Sequence, residues 1–238
     1  NAQRMTINAA GNVGINTTSP ASGYMLHVGG SSGVHTKVKI EATTATGQAE
    51  LDLTADPAGV SYLNLGDENS YNIGQLGYFH SDNSMRFRVN AAERMRINSA
   101  GIVTKPYQPA FHAMDGAEIN TTSSTGAIKV EFSSALVNTG GHYSTDNDRF
   151  TAPVAGVYKF SVGFMSVADR QNRFGFFKNG SIQGDVGYVV GQNYQRTSYE
   201  LCITLAVNDY VDFRTNVNAG AEGCLHQNYR YFTGYLIG

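Results

Sequence analysis

Apolar and polar residues alternate with a period of two along much of this chain, the pattern of half-buried β-strands. Tyr158, Phe160, Val162 and Phe164 fall on one face of such a run. Tyr199, Leu201, Ile203, Leu205 and Val207 form a second row, and Val211, Phe213, Thr215 and Val217 a third. These rows are expected to face the core of a two-sheet sandwich. Pro153 to Gly156, Lys178-Asn179-Gly180-Ser181 and Asn208-Asp209 read as tight turns, and Asn-Gly readily supplies the positive φ angles of a two-residue hairpin. Longer polar connections fall between them, at Ala168–Arg173, Gly191–Thr197 and Asn218–Asn228. Consecutive antiparallel strands reverse direction, so the tight turns share one end and the polar connections the other. The final strand returns from the third polar connection to the C-terminus, which puts these connections at the end remote from it.

That final strand is apolar on both faces. Tyr229, Tyr231 and Tyr235 occupy one side, and Phe232, Gly234 and Leu236 the other. Such a strand is covered on both sides. One face meets the domain's own core; the tyrosine face needs a second cover, from sister subunits or from N-terminal strands of the same chain. Tyrosine suits an interface because its ring packs while its hydroxyl finds a polar partner.

The first half repeats a phrase. Arg4-Met5-Thr6-Ile7-Asn8-Ala9-Ala10-Gly11-Asn12-Val13 recurs as Arg94-Met95-Arg96-Ile97-Asn98-Ser99-Ala100-Gly101-Ile102-Val103, and each copy reads as strand, turn, strand. A small β unit that cannot bury its own face points to a stacked or intertwined assembly. Lys37–Glu41, Ala49–Leu53 and Met85–Val89 also alternate, and Asp67-Glu68-Asn69-Ser70 reads as a solvated loop. Lys105-Pro106-Tyr107-Gln108-Pro109 is the best boundary, since proline interrupts strand pairing. The expected organisation is a β-rich segment over 1–105, a linker over 106–109 and a globular domain over 110–238.

Phe132, Asn138, Tyr143, Phe150, Gly156, Tyr158 and Phe160 are spaced as in the complement C1q globular-head family, which residues 110–238 resemble. Phe232-Thr233-Gly234-Tyr235-Leu236-Ile237 resembles that family's closing strand, while Val162 stands where the family usually has an aromatic. The resemblance implies a trimeric jelly roll that binds other molecules without catalysis, with the tyrosine face meeting the same strand region of two sister subunits. Several members of that family bind calcium. Gln3 to Pro20 is similar to a recurrent element of tailed-phage fibre proteins, which implies a homotrimer. The expected fold class is therefore all-β: a trimeric stalk followed by a C1q-like jelly-roll head.

Composition narrows the functions. The 238 residues carry 41% hydrophobic and 15% charged side chains, with Tyr 14, Phe 12 and Gly 27, which suits short strands joined by glycine turns. A formal net charge of -2 disfavours a general nucleic-acid binder. No apolar run approaches the roughly 18 residues of a membrane span, so membrane insertion is not expected. The chain opens on Asn1 without a charged, then apolar, leader, which reads as a piece of something longer. Cys202 and Cys224 lack metal or redox spacing; Cys202 reads as a buried strand residue, with a bridge to Cys224 as the alternative.

Candidate chemistry is sparse. No His-x-x-x-His, nucleophile-elbow or phosphate-loop pattern is present. Asp146 and Asp148, like Asp67 and Glu68, read as turn residues rather than a glycosidase pair. Asp146 and Asp148 are also the weak candidates for calcium, the one cofactor considered. For binding, the polar connections offer Arg170, Gln171, Asn172 and Arg173, then Gln192, Asn193, Tyr194 and Arg196, then His226 and Gln227. Rings, amides and guanidinium forks together suit a sugar or another polar surface. The leading expectation is the distal part of a phage tail fibre, in the virion, a non-catalytic homotrimer. It would join other tail proteins and adhere to a host-surface glycan or protein. The alternatives are a secreted or cell-surface adhesion module, a capsid decoration fibre and a polysaccharide-degrading tailspike.

Overall fold

A computed structural model describes residues 4–29, 36–43, 46–121, 126–167, 169–215 and 223–238. The chain forms two compact units, 1–55 and 56–238, and every regular element among the described residues is a β-strand.

The first unit holds β1 (Met5–Ile7), β2 (Val13–Ile15) and β3 (Leu26–Val28); β1 and β2 are antiparallel, and β3 joins β2 in parallel. The Asn8 side chain closes the first turn by accepting from the amides of Ala10 and Asn12, both at 3.0 Å, with Gly11 at φ 81°. Lys37–Glu41 and Ala49–Leu53 do not form strands, contrary to their alternation. Alternation alone is insufficient because a strand needs a neighbour for its backbone groups, and none pairs with these segments among the described residues.

The second unit opens with a meander of β4 (Val60–Leu65), β5 (Gly74–Phe79), β6 (Ser84–Val89), β7 (Ala92–Ile97) and β8 (Val103–Thr104), hydrogen-bonded in that order. The β7–β8 turn rebuilds the β1–β2 turn. Asn98 accepts from Ala100 at 3.0 Å and Ile102 at 2.9 Å, and Gly101 has φ 78°. The repeated phrase is thus one hairpin made twice, in which asparagine caps the bend and glycine takes the left-handed position.

Lys105–Pro109 leads into the head: β9 (Ala110–Met114), β10 (Ile119–Thr121), β11 (Ile128–Lys129), β12 (Ser134–Thr139), β13 (Tyr143–Ser144), β14 (Arg149–Thr151), β15 (Gly156–Met165), β16 (Arg170–Lys178), β17 (Ser181–Gly191), β18 (Arg196–Leu205), β19 (Tyr210–Thr215), β20 (Gly223–Leu225) and β21 (Tyr231–Leu236). One sheet runs β12-β9-β21-β15-β18; the other runs β13-β14-β19-β16-β17, with β11 also on β19; a two-stranded piece pairs β10 with β20. This is an antiparallel jelly-roll sandwich.

Its core is aromatic. Tyr158, Phe160, Val162 and Phe164 are buried from one sheet, and Phe174, Phe176, Val211 and Phe213 from the other. Phe111 stacks on Tyr143 at 4.7 Å and on Phe150 at 5.3 Å, and meets Phe232 edge-on at 4.8 Å. Each buried ring contributes roughly 1.5–3 kcal/mol relative to exposure. The signature residues have separate jobs. Asn138 clasps the Tyr143 backbone, accepting from its amide at 3.0 Å and donating to its carbonyl at 2.9 Å. The Tyr158 hydroxyl donates to the Val154 carbonyl at 2.8 Å. Gly156 is needed because a Cβ would lie 2.9 Å from the backbone oxygen of Gly238. Val162 lies in register between Phe232 and Tyr199.

Of the predicted rows, Thr215 is buried, whereas Val207 lies beyond β18 and is exposed; Val217 lies outside the described residues. Cys202 is exposed and Cys224 buried, and no disulfide joins them. Tyr199, Leu201, Ile203 and Leu205 face the core as their row implies, so the expected burial of Cys202 fails because Cys202 lies on the opposite face, where residues 196, 198, 200, 202 and 204 are all exposed.

Candidate functional site

The two ends of the sandwich differ as the connection lengths imply. At one end the tight turns lock together: the Asn208 amide donates to Ala152, Ala152 to Asp209 and Asn179 to Tyr210. Asn179 and Gly180 take φ 50° and 82°. The C-terminus belongs to this end, with the Gly238 carbonyl accepting from Val157 at 2.7 Å.

At the opposite end, β15 finishes at Met165 and its last groups anchor two connections. Ser166 accepts from the Tyr194 amide at 2.9 Å and donates to Gln195 at 2.9 Å, while Met165 accepts from His226 at 2.8 Å. The Asp169 carboxylate accepts from the Asn193 amide at 2.6 Å. These bonds bring three rings into line: Tyr194 and His226 lie 6.3 Å apart, and His226 and Tyr229 4.7 Å apart. Tyr194 is held at φ 65° and is 64% exposed, so its ring faces solvent. His226 accepts through Nδ1 from the Asn228 amide at 3.1 Å.

Several predicted residues sit elsewhere. Arg170, Gln171, Asn172 and Arg173 are strand residues, because β16 keeps its register with β17 as far as Arg170 opposite Gly191. Arg170 donates to Asn120 at 2.7 Å, Gln171 is exposed, and Arg173 stacks over Tyr188 at 5.4 Å. Asn172 is buried and accepts from the Thr215 hydroxyl, so it is a core polar residue and not a loop residue. Gln192, Asn193 and Tyr194 form the exposed β17–β18 connection, and Gln227 is exposed beside half-buried His226. Arg196 opens β18 and, with Ser198, Tyr231 and Gly163, lines a cleft of about 250 Å³. Residues 216–222 of the third connection lie outside the described residues.

The tyrosine strand is corrected in one respect. Tyr229 precedes β21, cut off from it by buried Arg230, and belongs to the ring cluster rather than the strand face. Tyr231 stacks on His112 at 5.9 Å, and Tyr235 is exposed on the same outer side of the sheet. Leu136 and Val137 are also exposed, on the edge strand β12, which β9 separates from β21.

Arg230 is the residue that strand patterning could not find. Its side chain is 2% exposed, its two terminal nitrogens have no hydrogen-bond partner, and its Nε donates weakly to Asp115 at 3.4 Å. Gly116 leaves it room, since a Cβ there would overlap the guanidinium. Burial pushes the Arg230 pKa down, against the pull of Glu131, Asp148 and Asp115. Asp148 accepts from the Phe132 amide at 3.0 Å, and burial raises its pKa. Asp146 is exposed, and no group of three or more His, Cys, Asp or Glu side chains is placed to hold a metal among the described residues. The bond from Phe132 and a φ of 45° fix the position of Asp148.

The ring cluster can stack on a ligand face and hydrogen-bond around it. No curated protein matches the chain. Among solved structures it is similar to the globular domain of zebrafish complement 1qA, at 21% identity and TM-score 0.43, over 55% of this chain and 98% of that one. It is also similar to Eiger TNF from S. frugiperda, at 14% and 0.38, over 55% of this chain and 93% of that one. Murine APRIL gives 12% and 0.41, over 55% of this chain and 99% of that one. Residues 110–237, more than half of the sequence, match the model of the C1q domain, and the chain belongs to the C1q domain family.

Proposed function

We propose that this chain is the distal part of a tailed-phage fibre: a non-catalytic homotrimer in which 1–105 form the stalk and 110–238 an adhesive head. The observation that carries the binding role is the gathering of Tyr194, His226 and Tyr229 at the end of the head remote from its C-terminus. Loops positioned by a rigid sandwich are where binding residues concentrate. Exposed rings flanked by Asn193, Gln192, Gln227 and Arg196 suit a host-surface glycan, or a polar protein surface. The exposed Tyr235 side of the five-stranded sheet gives sister heads a surface to share. Three equivalent tips per fibre would raise avidity over weak single sites. The twice-built Arg-Met-x-Ile-Asn hairpin supports the stalk and the viral setting, where other tail proteins would hold its upstream end.

Electron microscopy of whole particles decorated with antibody against residues 110–238 tests the assignment. Label at the far ends of tail fibres is expected. Label on the capsid, or on no particle at all, overturns it in favour of a decoration fibre or a cellular adhesion module.

A further inference from the structure

The meander β4–β8 is one layer thick and its two faces differ in chemistry. Strand register aligns Leu63, Leu76, Phe87 and Met95 in one row, and Tyr78, Met85, Ile97 and Val103 in the next on the same face. No side chain of either row is buried, and Leu63 and Val103 are 47% and 52% exposed. The other face carries the ions. Arg96 bridges Glu93 at 2.8 Å, Arg86 pairs with Asp82, and Arg88 donates to Gln75 at 3.0 Å. Gly77 and Ser84, the sheet's buried residues, alternate onto that charged side.

A sheet with an apolar side is stable only when that side is packed against another layer. Four strands of six residues, at about 4.8 Å between strands and 3.3 Å per residue, present on the order of 400 Å². A patch of that size is often functional, and it supplies about half of the roughly 800 Å² per partner in a standard interface. The chain's own first unit is a poor match in size. Its three strands of three residues cover roughly 140 Å² at the same spacings. That unit also leaves the equivalent stripe uncovered, with Met5 57% and Ile7 63% exposed. A second copy, by contrast, offers a face of equal area with no ionised group to desolvate, and the stripe written twice along the chain would meet its counterpart twice.

We propose that the Leu63–Phe87–Met95 face of the meander is an interface between copies of this chain. The assembly surface then lies mainly in the stalk, and the tyrosine side of the head adds to it. The proposal deepens the homotrimer reading and rests on it for the number of copies, but not for the contact itself.

The full chain, carrying benzoylphenylalanine at Phe87 in one preparation and at the rim residue Val103 in another, tests this. Light and ¹⁵N-labelled chains are mixed unfolded, refolded together, irradiated and digested. Both probes are expected to yield light–heavy cross-links to β4–β8, while a probe at Asn64 on the charged face yields none. Cross-links confined within one chain to residues 1–55, or none from a folded sheet, overturn the proposal. Receptor binding by the head is read separately, so loss of the contact with binding intact sinks this interface and leaves the adhesive assignment standing.

Discussion

Arg230→Met isolates the most unusual electrostatic feature of the head. The wild-type guanidinium is 2% exposed, without a partner for either terminal nitrogen, and surrounded by Asp115, Glu131 and Asp148. Two effects oppose each other. Removing a buried unsatisfied group relieves roughly 1–3 kcal/mol, and methionine refills much of the volume. Removing this cation, which faces three carboxylates from the β9–β10, β11–β12 and β13–β14 connections, leaves their charge compensated only in part, by Lys129 near Asp148. No carboxylate oxygen reaches hydrogen-bond distance of the guanidinium. The summed attraction of three nearby carboxylates is still on the order of 3 kcal/mol, the low end of the about 3–5 kcal/mol for breaking a buried ion pair. Asp148 is only half-buried, so the lower part of that range applies, and the net effect at neutral pH is a loss of about 1–2 kcal/mol.

Burial raises the Asp148 pKa, so its ionised form costs stability, and that cost disappears as pH falls through the raised value. Loss of the nearby cation enlarges the cost, so the deficit of Arg230→Met should shrink on acidification, and Asp148→Asn should restore part of it at neutral pH. Urea unfolding of all four chains of this double-mutant cycle, at one protein concentration and two pH values, measures this. A variant as stable as wild type at neutral pH, or a deficit that grows on acidification, refutes the reasoning.

Asp209 titrates in the opposite sense. Hydrogen bonds from Lys178, the Ala206 amide and Asn179 hold its pKa down to about 2, so the stability it confers is present above the ordinary 3.8 and is lost as pH falls toward 2. Asp209→Asn should flatten the acid limb of a stability–pH curve in that window. Gly234→Ala puts a Cβ 2.4 Å from Phe160 and 2.7 Å from Phe111 and should cost about 1–3 kcal/mol in thermal unfolding. Under native conditions a maleimide should label Cys202 within minutes and Cys224 only after denaturation, read by intact mass.

The fold of the head was legible because its core residues sit on consecutive odd or even positions, as in Tyr158 to Phe164, and because Asn179-Gly180 needs no long-range information to bend. The phase of β18 was legible as well, since Tyr199, Leu201, Ile203 and Leu205 turn inward as their row implies; the expected burial of Cys202 failed because it was inconsistent with that row. Polar composition misplaced Arg170 to Arg173, since ladder bonds to β17 extend a strand regardless of its side chains. The ring cluster depends on three segments brought together by backbone bonds at Met165 and Ser166, which leave no mark in sequence. Arg230 was hidden for a similar reason: its burial is set by Gly116 and Phe132, more than 90 residues upstream.

The adhesive end of the head is best tried by the double variant Tyr194→Ala, Tyr229→Ala on an array of bacterial surface polysaccharides and on whole cells. Losing ring stacking costs about 1 kcal/mol per site, and three sites acting together give about 3 kcal/mol, or roughly a hundredfold fall in binding. The account predicts that fall with oligomeric mass and melting temperature unchanged, and no fall for Val154→Ala at the opposite end. Binding of the double variant indistinguishable from wild type would contradict it.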